Sequence, residues 1–273
     1  MFIRVSNGAQ NIALVRQALS GVADQLEVAP GVINDVRTAA TEACNNVALH
    51  AYRGDEGPME VEIGCRSRAL EVVVRDRGTG IRPRIRAQSD SALGIGLAII
   101  QALARRVEFN YPPSGGTEVC MEFAARPRDA LENALGWVPT EPVAADLAST
   151  TVLAVAPSGL AQSVLPRVLT LLCAHAGLTT DRISDLLLIS DAVVSQARET
   201  RGGDEVRLVA RVERRRIELS VGPLKDGAAD ALLAVPCGNG SATLIGKLSD
   251  EHHVDGAQGA SGETLVVALA DRR

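Results

Sequence analysis

Three short stretches, Glu42-Ala43-Cys44-Asn45-Asn46, Asp76-Arg77-Gly78-Thr79-Gly80 and Gly94-Ile95-Gly96, follow one another within the first hundred residues of the chain. The first lies on a helical apolar stripe, the second closes a strand of alternating apolar residues, and the third opens an apolar helix. Each alone is unremarkable in kind. A carboxylate four residues before an amide is usually a helix surface, Asp-Gly at a strand end is usually a turn, and paired glycines are common in turns. Their order and spacing together predict a nucleotide pocket.

The chemistry of the three pieces supports that reading. At about 100° per residue, Glu42 and Asn46 lie about 40° apart on their helix, beside the apolar stripe, whereas Asn45 points away toward solvent. A carboxylate at a pocket edge accepts a proton or orients water, and an amide oxygen completes an oxygen shell around Mg²⁺, whose other ligands would be phosphates and waters. Leu70, Val72, Val74 and Asp76 share one face of their strand by alternation. The acid therefore points the way the core residues do, where it needs a donor such as the exocyclic amine of adenine. Gly78 and Gly80 let the backbone turn beside a flat ring. Gly94-Ile95-Gly96 lacks the third glycine of a dinucleotide fingerprint and follows a loop instead of a strand. Its expected use is as a backbone strip that holds phosphates together with the N-terminus of the following helix.

Around these stretches the pattern organises itself. Phe2 to Ser6 alternates as a strand, and Ile12, Val15, Ala18, Leu19 and Val22 recur at helical spacing. Pro30 opens a second helix, expected from Val32 to Tyr52. Met59 to Cys65 and Leu70 to Asp76 form a hairpin through Arg66, Ser67 and Arg68. A loop rich in charge and glycine, Gly78 to Gly94, leads to a helix over Gly96 to Arg106, and its segment Ile81 to Leu93, with Arg82, Arg84 and Arg86, has the composition of a lid. Val107 to Asn110 and Thr117 to Phe123 close the set as a hairpin. Residues 127–150, interrupted by Pro127, Pro139 and Pro142 and holding the single Trp137, read as a linker between domains at 1–126 and 151–273.

After the linker the layout repeats. Val152 to Val155 corresponds to the first strand, Gly159 to Ala176 to the first helix and Thr179 to Ala197 to the second. Asp191 stands 149 residues after Glu42 and Ser195 149 after Asn46; Glu218 stands 147 after Glu71, and Gly262 146 after Gly116. A slowly shrinking offset is what small loop deletions in a tandem duplication produce. The expected fold is α+β: a two-layer α/β sandwich, antiparallel hairpins with helices between them, twice over.

Bulk composition narrows the class. At 273 residues, 46% hydrophobic and 22% charged, the chain has globular composition. Only 2% aromatic residues and a formal charge of −5 argue against a nucleic-acid platform, with Arg211 to Arg216 read as the solvated end of a hairpin. Cys44, Cys65, Cys120, Cys173 and Cys237 are odd in number and form no CxxC pair, which fits reduced thiols in a cytoplasmic protein without a structural disulfide. Met1 to Ala18 lacks a secretory leader, and no apolar run is long enough for a membrane span. His50 reads as a packing or capping residue and His252-His253 as part of a polar loop, so no metal is expected beyond nucleotide-bound Mg²⁺.

At this point the residues resemble a known family. Thr41-Glu42-Ala43-Cys44-Asn45-Asn46 with His50-Ala51-Tyr52, then Asp76 with Gly78 and Gly80-Ile81, then Leu93-Gly94-Ile95-Gly96-Leu97, then Gly115-Gly116-Thr117-Glu118-Val119, resemble in order the boxes of the GHKL (Bergerat-fold) ATPases. Among these the resemblance is to anti-sigma factor serine kinases of the RsbW and SpoIIAB type, over residues 2–125. It implies ATP and Mg²⁺ as cofactors. By position, it implies Glu42 as general base, Asn46 as Mg²⁺ ligand, Asp76 with Gly78, Gly80 and Thr117 around adenine, and Gly94-Ile95-Gly96 at the phosphates. The implied reaction moves the ATP γ-phosphate to a serine or threonine of an anti-anti-sigma (STAS) partner and so controls a sigma factor. A nucleotide-gated binding protein with little or no phosphotransfer is the alternative. In the second repeat Asp191 and Ser195 replace Glu42 and Asn46, the adenine-binding Asp is absent near Val221-Gly222-Pro223-Leu224, and Ala242 to Gly246 keeps no paired glycines. Residues 151–273 are therefore expected not to bind ATP. The resemblance, to kinases that form homodimers, implies the degenerate half as a built-in partner or as a docking face, with a homodimer the other option.

Overall fold

The computed structural model describes residues 1–66, 69–79, 91–113, 115–124, 148–156, 158–200, 205–237, 242–256 and 262–271, with only the backbone of 66, 91–94, 158 and 196–200. The chain divides into two compact units, Met1–Ala148 and Ser149–Arg273. The expected lid with Arg82, Arg84 and Arg86, and most of the expected linker including Trp137, lie outside the described residues.

In the first unit, β1 (Phe2–Ser6) is followed by α1 (Ile12–Gln25) and α2 (Pro30–Asn46), then by β2 (Pro58–Arg66), β3 (Ala69–Asp76), α3 (Ser91–Leu103), β4 (Arg106–Asn110) and β5 (Glu118–Phe123). The strands lie in the order β1-β2-β3-β5-β4 and every pairing is antiparallel. Alternation decides the two faces. Ile63 pairs with Val72 and Val72 with Met121, while Val61 pairs with Val74 and Val74 with Val119, so one face is a continuous apolar surface. Ile12, Leu14, Val15, Ala18, Leu19 and Val22 of α1 and Val36, Ala39, Ala40 and Ala43 of α2 are buried in the same core. Each such Val, Leu or Ile contributes about 1.5–3 kcal/mol by leaving water. The other face carries charge: Arg4 pairs with Glu60 at 2.8 Å, and Arg75 bridges Glu62 at 2.8 Å and Glu118 at 2.5 Å.

Asp76 is the last residue of β3 and pairs with Met59, which places it on the apolar face, at its edge. The alternation of Leu70, Val72 and Val74 is what puts it there.

Several boundaries differ from the sequence expectation. Helix α2 begins at Pro30 and ends as an α-helix at Asn46; Val47–Ala51 continues as a π-helical turn, and Tyr52 is already outside it. Helix α3 begins at Ser91, five residues before the expected Gly96, because Ala92 and Leu93 are strong helix formers and extend it backward. It ends at Leu103, since Arg106 is taken into β4 opposite Glu122.

The second unit repeats the sequence of elements: β6 (Thr150–Val155), α4 (Ala161–Ala176), α5 (Thr180–Thr200), β7 (Val206–Glu213), β8 (Arg216–Leu224), α6 (Ala228–Leu233), α7 (Leu244–Leu248), β9 (Glu251–Gly256) and β10 (Glu263–Ala270). Its strand order, β6-β7-β8-β10-β9, is that of the first unit strand for strand, again all antiparallel. Thr150, placed in the linker by sequence, is the first residue of β6 and pairs with Arg211; it and Thr151 are buried. Arg214 and Arg215 form the expected hairpin turn between β7 and β8, and the neighbouring Arg216 is bound to Glu251 at 2.8 Å. His252 and His253 are not in a loop: they belong to β9 and pair with Val267 and Val266 of β10. The strand is exposed along most of its length, and this polarity hid it in the sequence.

Candidate functional site

The three quoted stretches come together at one end of the first unit's helix face, in two clusters. The first lies between α2 and α3. Asn46 is buried and Glu42, one turn earlier, is half-buried. Gly96 of α3 faces both: a Cβ built there would stand 3.1 Å from Glu42 Oε2, 3.6 Å from Asn46 Oδ1 and 3.9 Å from Asn46 Nδ2. The absence of a side chain at Gly96 lets α3 approach α2 closely beside the carboxylate and the amide. This is a different use of the glycine from the expected backbone strip, since in a regular helix the Gly96 N–H points along the axis to the carbonyl four residues back. Gly94 lies in the same helix, and the Ile95 side chain is 61% exposed.

The second cluster surrounds Asp76. Its carboxylate is buried and accepts hydrogen bonds from the Gly78 N–H at 2.8 Å and from the hydroxyl and N–H of Thr117. Its own N–H donates to the Thr117 carbonyl at 3.0 Å. Burial raises the Asp76 carboxyl above the usual aspartate value, and the Gly78 and Thr117 donors oppose that rise without cancelling it. The protein thus supplies donors of its own to an acid that sequence reasoning left waiting for a ligand. A carboxylate has about four acceptor sites, so it retains capacity for another donor. Thr117, itself buried, lies just before β5, which begins at Glu118 and not at Thr117 as the sequence predicted. Gly80 lies outside the described residues.

Two glycines set the walls. Gly78 leaves no room for a side chain, because a Cβ would fall 2.1 Å from the Ala51 carbonyl oxygen. Gly116 has φ +88°, and a Cβ there would fall 2.0 Å from the Asp76 carbonyl oxygen. Sequence reasoning used Gly116 as a marker of the repeat and as part of the last box, Gly115-Gly116-Thr117-Glu118-Val119, but gave it no site role of its own. The π-helical turn at Val47–Ala51 carries no sequence signal. It ends α2 so that the Ala51 carbonyl accepts the Thr79 N–H at 3.0 Å, tying the helix that bears Glu42 and Asn46 to the loop after Asp76. His50, expected to pack or cap, is exposed on this turn.

A half-buried acid and a buried amide between two helices, with a buried acid at the adjacent strand end, form an arrangement suited to a nucleotide lying across the helix face. Residues 5–123 match the family described as Histidine kinase-like ATPase domain. The first unit is a histidine kinase-like ATPase domain of the GHKL type. The chain is also similar to curated proteins named Serine-protein kinase RsbW, from Bacillus thuringiensis (strain Al Hakam), Bacillus cereus (strain AH820) and Bacillus anthracis. Each is 33% identical over 76 residues, 28% of this chain and 48% of the relative. The chain thus spans about half the length of the curated relatives it matches. Within the ATPase domain, Asp76 lies on the apolar face of β3 that the alternation predicted, and Glu42 and Asn46 both lie beside Gly96. Among the described residues no helix is long and apolar enough to cross a membrane.

Proposed function

We propose that this chain is an ATP-dependent serine/threonine protein kinase acting as an anti-sigma regulator, with its nucleotide site in the first unit. The observation that supports this most is the convergence of Glu42 and Asn46 on Gly96, a base and an oxygen ligand facing the helix that carries the glycines. Asp76, with Thr117, Gly78 and Gly80, receives adenine. Gly94, Ile95 and Gly96 border the phosphates. Asn46 offers a hard amide oxygen of the kind Mg²⁺ takes, and bound Mg²⁺ would neutralise phosphate charge. Glu42 accepts the proton of the attacking hydroxyl. The acceptor is a serine or threonine of an anti-anti-sigma STAS protein, and the regulated partner is a sigma factor. The names of the RsbW relatives support the serine-kinase class, and the cytoplasm is the corresponding compartment.

The second unit is a degenerate copy of the first that does not bind ATP. Its shared strand order and the parallel placement of Gly116 and Gly262 support a duplication. Gly262, like Gly116, has a positive φ, +130°, and its Cβ would press on the carbonyl that ends the third strand of its unit, 2.7 Å from the Leu224 oxygen.

Calorimetry of Mg²⁺-ATP on the intact chain tests the assignment. One site per chain, lost in Asp76→Asn, is the expected result; two sites would overturn the degenerate copy, and none would overturn the ATP site. Transfer of labelled γ-phosphate to a STAS protein, abolished in Glu42→Ala with binding retained, separates the kinase from a purely nucleotide-gated regulator.

A further inference from the structure

Tyr52 is the residue around which the two clusters are joined, and neither cluster includes it. Its hydroxyl accepts the Arg77 N–H at 2.8 Å and donates to the Pro58 carbonyl at 2.5 Å. It therefore touches the residue after Asp76 and the first residue of β2 at once. Its ring fills the space beside Gly57, where a Cβ would fall 2.1 Å from the ring Cε1. One residue earlier, the Ala51 carbonyl accepts the Thr79 N–H at 3.0 Å and the Thr79 hydroxyl at 3.4 Å. Two consecutive residues at the end of the π-helical turn thus hold three of the four residues 76–79, since Gly78 is pressed against the same Ala51 oxygen.

That turn begins directly after Asn46. A π-helical turn is a tolerant link, rare and commonly placed at functional sites. Its far end must be fixed for the orientation of Asn46 and Glu42 relative to Asp76 to be fixed. We infer that Tyr52 is a positioning residue, a latch that sets the Glu42–Asn46 end of the ATP site in register with the Asp76 end. The inference rests on the ATP site proposed above. Burial pushes the Tyr52 hydroxyl up to about 12, with smaller contributions from Asp76 and Glu60 opposed by the Arg77 N–H, so it remains protonated and both bonds persist at neutral pH.

A latch between two subsites leaves a signature that general packing does not. Adenosine engages only the Asp76 end, whose donors from Gly78 and Thr117 do not involve Tyr52. Mg²⁺-ATP engages both ends. Calorimetry of the full chain with each ligand therefore tests the latch, using Tyr52→Phe, which keeps the ring beside Gly57, and Gly57→Ala, which displaces the ring without changing its hydroxyl. The expected result for both variants is an Mg²⁺-ATP affinity lowered about tenfold, or about 1.4 kcal/mol, with adenosine affinity lowered less than twofold. Equal losses for the two ligands, or no loss for either, would overturn the latch while wild-type binding upheld the ATP site. A wild-type chain that binds adenosine but gains nothing from Mg²⁺ and phosphates would overturn the ATP reading and the latch with it.

Discussion

In the first unit the third strand ends on Asp76, buried and held by Gly78 and Thr117; in the second the corresponding strand ends on Pro223 and Leu224, with neither a carboxylate nor, at Pro223, an N–H. The same contrast runs through the helices. Asn46 is buried and Glu42 half-buried, whereas their counterparts Ser195 and Asp191 are exposed. Between the third and fourth strands the first unit has the 13-residue α3, and the second has α6 and α7, of 6 and 5 residues. At the start of α6 a carboxylate of the chain itself, Glu263, accepts the Gly227 N–H at 2.8 Å and the Ala229 N–H at 3.1 Å. The two units share a strand order and differ in the polar groups named here. A topology held by apolar alternation does not require those groups, because the two depend on different residues.

The largest expected effect sharpens that contrast at the reacting end. Glu42→Ala should lower phosphotransfer by about 10²–10⁴-fold, the usual contribution of a positioned base, while Asp191→Ala leaves it unchanged. A radiolabel transfer assay with a STAS acceptor reads both. Next comes Asp76→Asn, which replaces a charged acceptor by a neutral one and should weaken Mg²⁺-ATP by about 10- to 150-fold, on about 1.5–3 kcal/mol for a hydrogen bond to a charged group. If calorimetry found a second, unaffected site in that variant, the asymmetry between the units would be broken.

The glycines offer a paired test at smaller magnitude. Gly116→Ala and Gly262→Ala both force a Cβ into positive φ against a carbonyl, and each should destabilise its unit by about 1–3 kcal/mol in denaturant titration. Only Gly116→Ala should also weaken ATP, because it presses on Asp76.

Acidity gives a gentler probe. A donor ligand favours the ionised Asp76, whose carboxyl is raised in the free protein, so affinity should increase as pH climbs through that raised value and level off above it. Within that window binding releases a proton, which calorimetry in buffers of different ionisation enthalpy detects. For folding the sign is opposite. A carboxyl raised by folding supports the folded state most at low pH, and that support is lost as pH rises from the unfolded to the folded value. Smallest of all, Glu263→Gln should cost the second unit about 0.3–1 kcal/mol by removing a negative charge from the start of α6, with no change in ATP binding.

Much of this molecule was legible in the chain. Pro30 at the start of α2, the buried stripe Ile12, Val15, Ala18, Leu19 and Val22, and the alternation ending at Asp76 were each readable because a regular period converts directly into a face. The repeat was readable for the same reason, and the positive φ of both Gly116 and Gly262 matches the offset that links them. The start of α3 was misplaced because the glycines looked like a boundary, when Ala92 and Leu93 before them continue the helix. Strand β9 was missed because its exposed residues, His252 and His253 among them, leave no apolar alternation to read.

What the sequence alone determined was the periodicity: which residues face the core, that two such units follow each other, and that an acid ends the third strand of one and not of the other. The tertiary structure decided proximity. That Gly96 opens onto Glu42 and Asn46, that Ala51 and Tyr52 hold the loop after Asp76, and that Glu263 answers the N–H groups of α6 all involve residues 25 to 54 positions apart. Local period says which way a side chain points, but only the packed chain says what it meets there, because long-range contact is set by how whole faces are brought together and not by any single residue's preference.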